Sequence, residues 1–275
     1  MRYLVIGLGI YGANLARDLV AQGHEVIGAD SSRVTVDAIK DYITTAYIID
    51  TTEEAALYLR SQMIAREPSI TLRLNGSVTG SEISAILTKA WEHTGVPNEG
   101  DYIRHNQIGF DYTTTEGEDE NGTYTEITYT FNWLTTAEQE AEVDAAVDSV
   151  LAELDLWDLT NYEKVKGAYD WITENVQYDF DNEDNDEYQL CHSTYAAIVQ
   201  KNAVCQGYAT LYYRMMLELG VDCRYVRGTA GYVEIEDHAW NIVYLDGKYY
   251  NMDPTWDRDL MGHYRMFLCT ESYFT

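Results

Sequence analysis

The sequence predicts an α+β chain: a C-terminal core of helices on a small antiparallel sheet, preceded by an α+β accessory domain and an incomplete Rossmann-like α/β segment. Three observations carry this expectation. A short apolar run at the N-terminus enters a glycine-rich turn and a helix. Tyrosine-rich alternating runs follow helical patterns in the middle. Toward the C-terminus, a helix that stops at a glycine precedes an Asp-Gly hairpin. With 275 residues the chain exceeds the roughly 100–200 of one domain. The pattern shifts divide it into residues 1–52, 53–135 and 136–275.

In the first segment, Arg2–Ile6 leads into Gly7-Leu8-Gly9-Ile10-Tyr11-Gly12, after which Ala13, Leu15, Ala16, Leu19 and Val20 recur at helical spacing. A second strand over Glu25–Ala29 ends on Asp30, 23 residues after Gly7, close to the ~20 expected of a ribose-binding acid. Gly7 permits the tight turn, Gly9 lets a pyrophosphate approach the backbone, and Gly12 lets helix and strand pack closely. The helix N-terminus offers unpaired N–H groups to phosphate. Val34–Ile43 reads as a helix and Ala46–Asp50 as a third strand.

With the Asp50-Thr51-Thr52-Glu53-Glu54 run that follows, this stretch resembles the first half of the Trk-type nucleotide-binding domain of the regulator-of-potassium-conductance family. The resemblance implies an NAD-type cofactor at Gly7, Gly9, Gly12 and Asp30. It stops near residue 57, whereas a complete dinucleotide fold needs further strands. Two readings therefore stand: an adenosine-side nucleotide site, or a remnant whose glycines serve packing.

In the middle, Glu53–Arg66 is amphipathic, with Ala56, Leu59 and Met63 on one face, and Ile70–Leu74 alternates as a strand does. A helix over Ser81–Thr94 follows, then strands at Ile103–Thr113 and Thr123–Leu134 joined by the acidic loop Glu116–Gly122. No reactive groups gather here, so His93 and His105 read as surface or partly buried histidines. Thr135 or Thr136 caps the next helix, with Glu138 and Gln139 placed to close a capping box. That helix runs to about Leu154, and a second, Tyr162–Asn175, buries Val165, Ala168, Tyr169 and Ile172.

The chemistry is expected at Cys205. Ala203-Val204-Cys205-Gln206-Gly207-Tyr208-Ala209 opens a helix continuing through Leu211, Tyr212, Met215, Met216 and Leu219 and closing at Gly220. At a helix N-terminus the dipole and free N–H groups favour the thiolate, the form that attacks carbonyls, and the same amides can hold an oxyanion. Cys223 and Cys269, among apolar neighbours, read as structural. Thirty-three residues after Cys205, His238 opens the run His238-Ala239-Trp240-Asn241-Ile242-Val243-Tyr244-Leu245, which turns at Asp246-Gly247 and returns as Lys248–Met252. Asp253 ends the returning strand. In a tight hairpin, His238 and Asp253 meet at the open end, where a carboxylate orients an imidazole and stabilises its cation as the thiol loses its proton. Trp240 and Trp256 wall the groove or pack beneath the hairpin; Tyr178 reads as packing and His192 as a cap or surface residue.

These residues carry a second resemblance. Cys191, Thr194-Tyr195-Ala196-Ala197-Ile198-Val199, Val204–Ala209, Gly220-Val221, His238-Ala239-Trp240-Asn241, Asp246-Gly247-Lys248-Tyr249-Tyr250 and Asp253-Pro254-Thr255-Trp256-Asp257 resemble the bacterial transglutaminase-like superfamily. The resemblance implies a papain-like core and a Cys205–His238–Asp253 triad that needs no cofactor. The reaction it implies is acyl transfer or hydrolysis at amides of a protein or peptide substrate. A non-catalytic binding module on the same scaffold, and a nucleotide sensor working through the first segment, are the alternatives. Residues ~53–150 look like the region preceding such domains in surface-associated proteins, a cell-surface or secreted setting, whereas the first fifty residues suggest the cytoplasm.

Composition narrows the partners. Eighteen basic against 46 acidic residues leave a formal charge of −28, which repels nucleic acid and anionic membrane surfaces. No run of 18 apolar residues occurs, so membrane insertion is not expected. None of the four cysteines is in C-x-x-C spacing, and no metal site is expected. The acidic runs Glu116–Glu120 and Asp179–Glu187 read as solvated loops; the second lacks the central glycine and closing glutamate of an EF-hand.

Overall fold

The computed structural model describes residues 2–6, 8–30, 32–48, 51–119, 122–230, 236–258 and 264–270. Residues 1–59, 71–90 and 113–128 form one compact unit, and 60–70, 91–112 and 129–275 a second. The first half of the chain runs β1 (Arg2–Ile6), α1 (Ile10–Ala21), β2 (Glu25–Asp30), α2 (Arg33–Ile39), β3 (Thr45–Ile48), α3 (Thr51–Ile64), β4 (Ser69–Asn75), α4 (Gly80–Ala90), α5 (Asp101–His105), β5 (Gln107–Asp119) and β6 (Gly122–Trp133). Then come α6 (Ala137–Leu154), α7 (Asn161–Asn175), β7 (Gln177–Tyr178), β8 (Asn202–Ala203), α8 (Cys205–Glu218), β9 (Cys223–Ala230), β10 (Glu236–Leu245), β11 (Lys248–Met252) and α9 (Pro254–Asp257). The fold is α+β, as expected.

In the first unit, β1, β2 and β3 form a parallel sheet in that order. Alternate strand residues and the inner faces of α1 and α2 supply its core: Val5, Leu8, Ala16, Val26, Val36, Ile39 and Ile43. The approach is close enough at Gly28 that a β-carbon there would lie 2.5 Å from Ile43 Cδ1. Helix α2 ends at Ile39, four residues before its expected end. The chain must turn to reach β3, with Tyr42 N bonding Ile39 O at 2.8 Å and Thr44 N bonding Val26 O at 3.0 Å.

Strands β4, β6 and β5 make a sheet in that order. In this region three boundaries differ from the sequence expectation by more than two residues, the first being α4, which ends at Ala90 rather than Thr94. The strand expected to start at Ile103 is preceded by α5, because Asp101 is held by tertiary bonds: Arg224 Nε donates to it at 2.7 Å and Tyr225 N at 3.2 Å. The stretch Glu116–Asp119, expected as loop, extends β5, since exposed acidic side chains such as Glu116 and Glu118 suit a solvent-facing strand as well as a loop.

The second unit is built on α8, whose residues Gly207–Leu217 are all buried. Helix α6 starts at a capping box of Thr136 and Gln139, and α7 at a second one of Thr160 and Glu163 that the sequence reading missed. The stripe Val165, Ala168, Tyr169 and Ile172 of α7 is buried as expected. Burying tyrosines requires partners for their hydroxyls. Tyr212 donates to Val165 O at 3.2 Å, Tyr169 to Asp257 Oδ2 at 2.7 Å, and Tyr208 to Val176 O. Against α8 lies an antiparallel sheet in the order β11-β10-β9. Its hairpin turns at Asp246 (φ 50°) and Gly247 (φ 82°), the two left-handed residues of the tight turn that Asp-Gly signals. Among the described residues, no helix is long and apolar enough to cross a membrane.

Candidate active site

Cys205 is the first residue of α8 and is only partly buried. Its position is set from behind: Val204 N donates to Cys191 O at 3.0 Å, pinning the chain where it enters the helix. The first intrahelical bond runs from Tyr208 N to Val204 O, so the amides of Cys205, Gln206 and Gly207 lie ahead of it, where a helix has donors to spare. Gly207 lets the turn sit against its support. A β-carbon there would lie 2.8 Å from Ser193 O and 2.7 Å from Ala203 Cβ.

His238 and Asp253 are brought to the same place by β10 and β11. Asn241 Nδ2 bonds Ala209 O at 2.9 Å and ties β10 to α8. The returning strand delivers Asp253, completely buried, as the N-cap of α9, where its Oδ1 accepts from Thr255 N at 3.0 Å and Trp256 N at 3.3 Å. Pro254 suits the first position of that helix, which needs no N–H there. The other carboxylate oxygen faces the imidazole: His238 Nε2 and Asp253 Oδ2 are 2.7 Å apart. That bond leaves Nδ1 for the thiol. Burial disfavours the charged imidazole, but hydrogen bonds and charges of Asp253 and Cys205 outweigh it and push His238 up to about 10.

Further residues support this arrangement. Trp256 stacks on His238 with ring centroids 4.7 Å apart, and Trp240 lies nearly parallel at 6.1 Å. Gly228 makes room for Trp240, whose ring a β-carbon would meet at 2.9 Å. The one hydroxyl proton of Tyr169 is shared between Asp253 O, at 2.9 Å, and Asp257, which also accepts from Arg265 N and Met266 N. In the sequence Tyr169 shows only as an apolar stripe residue; its partners lie more than eighty positions away, beyond any local pattern. Tyr178 donates to Glu183, and burial, that bond and the Cys205 charge push its phenol up. Arg258 lies over the Tyr178 ring, 4.6 Å from its centroid.

Three further histidines have partners of their own. His93 pairs with Tyr213 Oη at 3.1 Å. Burial pushes His105 down to about 4, and its ring packs on Tyr225 at 4.0 Å. His192 ends the short 3-10 turn Gln189–His192, and burial lowers it. Cys223 and Cys269 are buried.

At the N-terminal motif, Gly7 lies outside the described residues. Gly9 is the N-cap of α1, with open space where a β-carbon would be, and Gly12 lies in the helix's first turn. Asp30, at the end of β2, accepts from Leu8 N at 2.6 Å and Ser32 N at 2.7 Å. The carboxylate thus holds the glycine turn against the strand.

Two regions of the chain match known families. Residues 148–254 match the family model of the transglutaminase-like superfamily, and residues 3–59 that of the TrkA-N domain. Kyphoscoliosis peptidase of Mus musculus is 30% identical over 156 residues, 52% of this chain and 23% of that protein. The Homo sapiens protein of the same name is 32% identical over 142 residues, 47% of this chain and 21% of that one. The chain thus spans about a fifth to a quarter of the length of these relatives. Ktr system potassium uptake protein A of Bacillus subtilis (strain 168) is 30% identical over 97 residues, 35% of this chain and 41% of that protein. A crystal structure of a TGase superposes with a TM-score of 0.40 at 17% identity, covering 67% of this chain and 50% of the other. The chain carries a transglutaminase-like superfamily domain over residues 148–254 and, ahead of it, a TrkA-N domain over residues 3–59.

Proposed function

We propose that the protein is a cysteine-dependent amide acyltransferase or hydrolase acting on a protein or peptide substrate. The observation that carries this reading is the buried imidazole of His238, bonded on one side to Asp253 at 2.7 Å and on the other facing Cys205 at a helix start. Cys205 sulfur attacks the amide carbonyl while the first-turn amides of α8 stabilise the oxyanion. The C–N bond then breaks, His238 gives its proton to the leaving amine, and a thioester remains. Water or a primary amine, deprotonated by His238, resolves the thioester and restores the thiol. Asp253 keeps the ring oriented and stabilises its cation through both transfers.

Mass spectrometry of a peptide library incubated with the protein and a primary amine tests this, because hydrolysis, deamidation and amine incorporation change mass differently. Products are expected with the wild type and none with Cys205→Ala. The same products from the variant would remove Cys205 as nucleophile, and no products from either would favour a binding module.

We also propose that the first segment holds at most the adenosine half of a dinucleotide such as NAD. The uncapped N-terminus of α1 and the space at Gly9 suit a pyrophosphate. Asp30 spends two acceptor sites on Leu8 and Ser32, leaving about two for a ribose. Equal, small thermal shifts with NAD and ADP-ribose are expected; a larger one with NAD would mean that the nicotinamide side is also bound.

A further inference from the structure

Among the described residues, the sheet that carries His238 ends at β9, which pairs with β10 on one side only. Two hydrogen bonds fix which of its residues face outward. Tyr244 N bonds Asp222 O at 3.0 Å, so Asp222 faces β10, while Tyr225 N bonds the Asp101 carboxylate at 3.2 Å, so Tyr225 faces away. Main-chain groups alternate along an antiparallel strand. Arg224, Val226 and Gly228 therefore serve the ladder, and Tyr225, Arg227 and Thr229 point outward. Asp101 covers the outward amide of Tyr225. The next two outward residues, Arg227 and Thr229, are exposed.

Their position matters because Gly228, between them, is the register partner of His238. This stretch of edge, unpaired among the described residues, thus lies level with the imidazole that faces Cys205. On the face shared with Asn241, which bonds α8 at Ala209, Tyr225 sits near enough to Cys205 that the thiol's charge, after burial, contributes to raising its phenol. An exposed edge offers donors and acceptors to an extended chain. A second copy of this protein is a poor occupant, since each carries a charge of −28.

We propose that the substrate of the Cys205 site binds as an extended peptide strand added to the outer edge of β9, its main chain bonded to Arg227 and Thr229. This inference rests on the acyl-transfer reading and deepens it. Main-chain bonds make the site selective for unfolded or extended polypeptide and tolerant of side chains. Free glutamine or a helical segment, which offers no free backbone edge, would be a poor substrate.

The test uses two reagents that alkylate a thiol: iodoacetamide, which needs no strand, and acetyl-tetraalanyl chloromethyl ketone, which can form one. Labelling at Cys205 is followed by mass spectrometry of the intact full-length protein. N-methylation of alternate alanines in the peptide reagent is expected to slow labelling about tenfold per lost hydrogen bond, and of the intervening ones far less. Thr229→Pro removes one outward N–H without touching the ladder to β10, and the ratio of peptide to iodoacetamide rates is expected to fall about tenfold. If iodoacetamide labels Cys205 but N-methylation at every position acts alike and the ratio does not move, strand addition is overturned while the nucleophile stands. Failure of iodoacetamide to label Cys205 in the wild type overturns the nucleophile and this inference together.

Discussion

His238 is held between two groups that favour its cation, and the consequences differ for catalysis and for stability. General acid–base catalysis contributes roughly 10²–10⁴-fold, so His238→Ala is expected to lower amide turnover by about that factor. Asp253→Asn should cost less, because an amide still accepts or donates at the ring but stabilises the imidazolium poorly. Steady-state rates of the two variants check this, and an Asp253→Asn rate below that of His238→Ala would mean that the carboxylate does more than orient the ring and stabilise its cation. The pKa of His238 is raised on folding from 6.5 to about 10. The stability it contributes is therefore fully present below about 6.5 and lost as pH rises through about 10. The gap in urea midpoint between wild type and His238→Ala should narrow across that interval. A gap that stays constant would show that neither Asp253 nor Cys205 holds the ring charged.

At the scale of elements, the start of α8 depends on one residue without a side chain. Gly207→Ala would push a methyl group to 2.8 Å from Ser193 O and 2.7 Å from Ala203 Cβ, with Cys191 O at 3.2 Å. Two of these neighbours are backbone and cannot rotate away. A loss of about 1–3 kcal/mol is expected from such overpacking, read as a lower urea midpoint, and the turn carrying Cys205 should shift with it. Loss of amide turnover with an unchanged midpoint would mean that the glycine serves the substrate rather than the fold. Elements such as this helix and the β10–β11 hairpin were legible in the sequence because their signals are local: an apolar period, a closing Gly220, and Asp246-Gly247 between alternating runs. Helix α5 was not, because Asp101 is fixed by Arg224 and Tyr225 from more than a hundred positions away. The β5 extension through Asp119 was lost for a different reason: three acidic residues around a glycine look the same in an exposed strand and in a loop. Meeting Asp253 with His238 was readable from hairpin geometry, while Tyr169 behind Asp253 was not, since nothing local pairs a helix stripe with a carboxylate in the last turn.

At the scale of the whole molecule, the question is whether the N-terminal segment takes part in the chemistry. All groups around the candidate site (Cys205, His238, Asp253, Tyr169, Trp240 and Trp256) belong to the second compact unit. The parallel sheet of the first unit has its own core, from Val5 to Ile43, and the Asp30 carboxylate is engaged by its own glycine turn. Among the described residues, the hydrogen bonds that orient His238 and those that fix Cys205 come from within the second unit. Deleting residues 1–50 is therefore expected to leave the rate of iodoacetamide labelling at Cys205 within about twofold of the full chain, a difference of ~0.4 kcal/mol in barrier. Near-ultraviolet circular dichroism should verify that the tyrosine-rich second unit keeps its packing in the truncated protein. A truncated chain that retains that signal but loses its thiol reactivity would assign the first segment a regulatory hold on the site. In that event NAD added to the full chain should change the labelling rate as well, because a nucleotide and a deletion acting on the same coupling must both be felt at Cys205.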